Sequence, residues 1–172
     1  MRVDPYHKID IQRYALKSLF EETYKALHLT DHPYSAFDSY SYDPAKNGQN
    51  IIKHGFGFNE ILSYSSEFGT LMVPCPDGND GTRCVIFSNM DTGVNGGNLD
   101  LPFPGTMGKV STLSVAQQRV GGFRFISSMR LSRKSYLRTM MGSFKNIYDY
   151  DPNAKDCFVK RCAEIVERDL FK

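Results

Sequence analysis

Apolar positions recur at helical spacing early in the chain. Leu16, Leu19, Phe20, Thr23 and Leu27 form one stripe and predict a helix over residues 9–27. Lys17 and Glu21 add an i,i+4 ion pair to it. Asp31-His32-Pro33 predicts its end, because the residue before a proline is pushed out of the helical region. Apolar and polar residues then alternate. Strands are expected at residues 34–42, 50–58, 62–65, 70–73, 83–89, 109–113 and 122–127. Asp43-Pro44-Ala45-Lys46-Asn47-Gly48 reads as the turn between the first two. The last third becomes helical again. Ser132 is the expected N-cap of a helix over 133–142. A loop at 148–153 precedes the closing helix, whose expected cap is Asp156. Val159, Ala163, Val166 and Leu170, beside Phe158, Cys162, Ile165 and Asp169, give that helix a wide apolar stripe for a core. The order of helix, strands, helix and helix predicts an α+β fold, with an antiparallel sheet packed against N- and C-terminal helices in a single domain over 1–172.

Composition narrows the classes. The chain has 172 residues, 41% apolar and 23% charged, which suits one globular core and excludes a disordered chain. No apolar run approaches the length of a membrane span, so none is expected. The opening MRVDPYHKIDIQRY lacks the apolar region of a Sec signal. Residues 91–108 form a long Gly/Asn/Pro-rich passage of the kind that is often functional. Charge is uneven. Residues 101–148 carry eight basic and no acidic side chains, leaving 13 basic against 19 acidic elsewhere, or −6. Either the two parts compensate each other internally or the basic part faces an anionic partner. The cations follow no nucleic-acid motif, so no nucleic acid is expected as that partner.

Candidate chemistry centres on a thiol. The four cysteines, Cys75, Cys84, Cys157 and Cys162, show neither CxxC nor zinc spacing, and no metal or cofactor is expected. Cys75 and Cys84 flank a turn-rich loop where a hairpin disulfide would close. With Asp156 as cap, Cys157 falls in the first helical turn, where free N–H groups and the helix dipole lower a thiol's pKa and can hold an oxyanion. The alternative is a small buried hydrophobe, the reading given to Cys162. A catalytic thiol needs a base. His32 and His54, on expected neighbouring strands, are the candidates for base and orienting group. His28 and His32 have i,i+4 spacing, but the helix stop between them and the lack of a third ligand argue against a metal pair. Met90-Asp91-Thr92-Gly93 carries an aspartic-protease triplet without the second copy that chemistry needs. Asp77-Gly78-Asn79-Asp80-Gly81 lacks calcium-loop spacing and reads as a tight turn.

In order along the chain, His32-Pro33-Tyr34-Ser35-Ala36-Phe37, His54-Gly55-Phe56-Gly57-Phe58, Pro104-Gly105-Thr106-Met107-Gly108-Lys109-Val110, Leu131-Ser132 leading to Ser135-Tyr136, and residues 148–159 ending on Asp156-Cys157-Phe158-Val159 resemble the circularly permuted, NlpC-like papain-fold cysteine hydrolases. The nearest likeness is to small type VI secretion effectors. The resemblance spans roughly residues 30–170 and departs in one place, with Asp156 where the family has Asn. It implies Cys157 as nucleophile, His32 as base, and His54 (or Asp38) as third polar residue. It implies an amidase or endopeptidase cutting peptidoglycan peptides or another amide. Such an antibacterial effector would be made in the bacterial cytoplasm and delivered to the target-cell periplasm, with a cognate immunity protein and the secretion-apparatus spike as partners. Two other readings stay open: an acyltransferase or thioesterase on lipid or protein, and a non-catalytic module that binds an anionic partner through residues 101–148.

Overall fold

In the computed structural model, which describes residues 5–27, 32–33, 39–64, 69–77, 81–91, 109–145 and 151–171, the elements follow the α+β expectation in outline. The chain runs α1 (Pro5–Leu19), α2 (Glu21–Ala26), β1 (His32–Pro33), β2 (Tyr40–Tyr42), α3 (Pro44–His54), α4 (Phe58–Tyr64), β3 (Leu71–Pro74), β4 (Arg83–Asp91), β5 (Lys109–Arg119), β6 (Gly122–Arg130), α5 (Arg133–Ser143) and α6 (Pro152–Val166), closed by a π-helical turn, Glu167–Phe171. Residues 92–108 of the long Gly/Asn/Pro-rich passage, His28 and Asp38 lie outside the described residues.

The strands form one six-stranded sheet in the order β1-β2-β6-β5-β4-β3. It is mixed, which corrects the expected antiparallel sheet. β2 runs parallel to β6, with Tyr40 opposite Phe123 and Tyr42 opposite Phe125. Parallel neighbours need a long crossover, and here everything from α3 to β5 lies between them. Aromatic packing holds that edge: Tyr40 stacks on Phe123 at 6.0 Å and Phe58 on Phe125 at 5.3 Å between ring centroids. The β5–β6 ladder slips between Val115 and Ala116, leaving Ile126 unpaired as a bulge.

Alternation along β4 sends Val85 and Phe87 to one face and Ile86, Ser88 and Met90 to the other. The first face, with Val73 and Leu113, is covered by Tyr136, Met140 and Phe144 at α5 and by Val159, Cys162 and Val166 of α6. On the second, Met90 and Val110 meet Phe56 and Ile61, and Tyr42 and Phe125 meet Phe58 and Leu62. α3 is tied to β6 and to the turn at Phe56 by polar bonds. Asn50 Oδ1 accepts the Ser128 N–H at 2.8 Å, and its Nδ2 donates to the Phe56 carbonyl at 2.9 Å. α1 crosses α3 at Gly48.

Three local expectations are corrected. Residues 50–54, 58 and 62–64 are helical rather than extended, as parts of α3 and α4, and 55–57 make the turn between them. Asp43-Pro44 opens α3 instead of making a turn. Asp43 is extended and accepts the Ala45 N–H at 2.8 Å, Pro44 fills the first turn where its missing N–H costs nothing, and Gly55 ends the helix at φ 84. The first helix breaks at Phe20, and Lys17 pairs with Asp43 rather than Glu21, which pairs with Lys25. The Ser132 cap is borne out, with a reciprocal capping box to Ser135.

Candidate functional site

The closing helix begins earlier than expected. Asp151 caps it, accepting the Ala154 N–H at 3.0 Å, and Pro152 occupies its first turn. The first intrahelical bond already runs from Lys155 N–H to the Asp151 carbonyl at 3.1 Å. Cys157 is therefore the sixth helical residue, and its N–H points to the Asn153 carbonyl one turn back. The helix-terminal position inferred for this thiol is corrected, and with it the proposed oxyanion donor. Cys157 is exposed, while Cys162, further along the same helix, belongs to the core, where burial pushes its thiol pKa up.

The histidines stand elsewhere. His54 ends α3, a helix rather than the expected strand, and lies 6.4 Å from the Phe56 ring. Burial, and then the neighbouring Lys53, lowers its pKa below the usual imidazole value. Phe56 belongs with Ile61, Met90 and Val110 to the cluster on one sheet face, whereas α6 packs into the Val85 and Phe87 cluster on the other, so His54 and Cys157 attach to different sides of the sheet. His32 pairs with Tyr42 in β1, at the edge of the sheet opposite β3. α6 packs against β3. Five strand spacings of ~4.8 Å put β1 about 24 Å from β3. The structure does not bring Cys157 and His54 together.

The described residues contain no group of three or more His, Cys, Asp or Glu placed to hold a metal ion. None of their helices is long and apolar enough to cross a membrane. Cys75 and Cys84 are both free thiols at the β3–β4 end, with Cys84 raised in pKa by burial and then by Cys75. A cleft of about 110 Å³ opens between Ser39–Ser41 and the β5–β6 turn, beside Arg119 and Phe123. It is smaller than the ~300–1,000 Å³ of ordinary small-molecule sites.

The basic half of the chain supplies a different feature. Tyr136, Met140 and Phe144 fasten α5 to the core, so its opposite side faces solvent. On that side Lys134, Leu137, Arg138 and Met141 fall at i, i+3, i+4 and i+7, one continuous stripe, with Lys145 just past the helix end. Leu137 is 45% and Met141 49% exposed. Arg133 does not add to the stripe's free charge, because its Nε donates to Glu167 at 3.1 Å and its guanidinium lies 5.1 Å from the Phe171 ring. The charge was legible in the sequence, but its face was not. The signal was available in the spacing of Lys134, Leu137, Arg138 and Met141.

Comparison with protein-family models, curated proteins and solved structures finds no match for this chain.

Proposed function

We propose that this chain is a docking module that binds an anionic partner through the outer face of α5. The observation that carries the reading is the solvent-facing stripe Lys134–Leu137–Arg138–Met141 on a helix whose other side is locked into the core. Fixed cations on a rigid element steer an acidic partner, and the two half-exposed apolar side chains between them supply short-range contact. A papain-like hydrolase, or its acyltransferase and thioesterase variants, needs an imidazole within hydrogen-bond reach of the nucleophile. His32, the expected base, sits in β1 at the sheet edge opposite the β3 strand on which α6 packs, and His54 adjoins the cluster on the other face, which supports docking over that chemistry.

Heparin, a soluble polyanion, is the probe. The protein should be retained on heparin, and Lys134→Glu with Arg138→Glu should elute at clearly lower salt. Lys46→Glu with Lys53→Glu, the same charge change on exposed α3 positions, should elute much closer to wild type. Cys157→Ser should change nothing. A folded Lys134→Glu/Arg138→Glu variant that elutes no earlier than the α3 variant would overturn the reading.

A further inference from the structure

Three residues of the apolar stripe that marks the first helix, Leu19, Phe20 and Leu27, are left in solvent. Leu19 is 74% exposed, Phe20 61% and Leu27 51%. The cause is the break at Phe20, where φ −139 and ψ 64 leave the helical region, so α2 restarts in a new direction and the apolar stripe is interrupted. Tyr24 alone of the short helix turns inward, with its hydroxyl on Asp43 at 3.0 Å. The remaining corner presents Leu19 and Phe20 to solvent beside Glu21 and Glu22, both exposed. Lys25 pairs with both glutamates at 3.1 Å, so the trio keeps a net negative charge.

This corner matches the α5 stripe in kind and opposes it in sign. One has two large apolar side chains next to two carboxylates. The other has two apolar side chains beside Lys134 and Arg138. The two surfaces sit on different elements on different sides of the sheet: α5 packs into the Val85 and Phe87 cluster, whereas α1 packs on α3, which leads directly into Phe56 of the Met90 and Val110 cluster on the other face. A single molecule cannot fold one onto the other. Two molecules can. We propose that the occupant of the α5 face is a second copy of this chain, whose α1–α2 corner seats Leu19 and Phe20 against Leu137 and Met141 and sets Glu21 and Glu22 against Lys134 and Arg138. The proposal rests on the docking role of α5. Such contact is heterologous: each copy uses one surface as donor and the other as acceptor, so association continues head to tail into chains or rings. Both patches are short, which places the contact in the small, weak and salt-sensitive class of interfaces.

Sedimentation velocity over a concentration series tests it. Wild type should show a sedimentation coefficient that rises with concentration at low salt and falls back to the monomer value at high salt. Lys134→Glu/Arg138→Glu should stay monomeric, and so should Glu21→Lys/Glu22→Lys, each checked for native circular dichroism. An equimolar mixture of the two variants should regain concentration-dependent association, because the reversed corner of one now faces the reversed helix of the other. Phe20→Ser, which leaves the charges alone, should weaken wild-type association. A wild type that remains monomeric at every concentration, or a mixture that remains monomeric, would overturn the proposal. If heparin retention still depends on Lys134 and Arg138 in that case, the docking reading stands and the face belongs to another acidic protein, a nucleic acid or an anionic surface.

Discussion

Asp43 shows how much one carboxylate can organise. Its Oδ1 accepts from the Ala45 N–H at 2.8 Å and the Tyr24 hydroxyl at 3.0 Å, and its Oδ2 from Lys17 Nζ at 3.0 Å. Three helices meet on it. Burial pushes its pKa up, but the Lys17 ammonium, the Tyr24 hydroxyl and the Ala45 N–H together outweigh burial and hold it below the ordinary carboxyl value. Burial and the adjacent Asp43 push Tyr24 up to about 12. A carboxyl depressed in the folded state stabilises it fully above the unfolded value of ~3.9, and that stabilisation is lost as pH falls through the lower folded-state value. Asp43→Asn should cost about 1–3 kcal/mol at neutral pH, the range of a lost N-cap together with a charge-assisted hydrogen bond. Urea denaturation measures the cost, and the same titration carried below pH ~4 should show a shallower acid loss in the variant than in wild type. An unchanged midpoint would mean that the Lys17 bond adds nothing to stability, because the amide oxygen can keep the Ala45 and Tyr24 bonds but its Nδ2 cannot accept from Lys17.

Helices and strands were legible where apolar spacing carried them. β3, β4, the start of β5 and most of β6 fall where alternation put them, and α5 starts at the Ser132 cap. α3 was not legible from spacing, because its buried side is Pro44, Ala45, Asn47, Gly48 and Asn50, which no hydrophobic pattern marks. The signal lay in its ends. Asp-Pro reads as a turn in isolation, yet an N-cap acid followed by proline at the first helical position is also how a helix opens. The same pair opens α6 at Asp151-Pro152, which puts Cys157 in the second turn rather than the first. Gly48 is buried for a specific reason: a Cβ there would sit 2.0 Å from the Asp10 carbonyl oxygen and 2.8 Å from the Ile11 nitrogen. Alanine favours an isolated helix over glycine by ~1 kcal/mol, but a clash with backbone cannot be relieved by a rotamer. Gly48→Ala should therefore destabilise by about 1–3 kcal/mol or more and lower the thermal midpoint measured by circular dichroism. A raised midpoint would show that α1 can slide away from α3 without loss.

At the scale of the molecule, the charge asymmetry of the two halves was plain in the residues, and its placement was not. The candidate site suffered for the same reason: proximity between His54 and Cys157 depends on which sheet face each helix covers, and local spacing holds no record of that. The parallel pairing of β2 with β6 joins Tyr40 to Phe123 and Tyr42 to Phe125 across the length of the domain. Phe58 completes its packing only when Phe125 arrives, and Asn50 only when Ser128 does. A nascent chain emerging from the ribosome thus carries its amino-terminal third without the strand that closes over it, and long-range pairings of this kind slow folding. A fragment ending at residue 120 should lack protected amides in α3 in hydrogen exchange, whereas the full chain should protect them; protection in the fragment would show an amino-terminal unit that folds unaided. During synthesis, Tyr40, Tyr42 and Phe58 stay uncovered until β6 emerges, and exposed apolar surface of this kind is what invites aggregation.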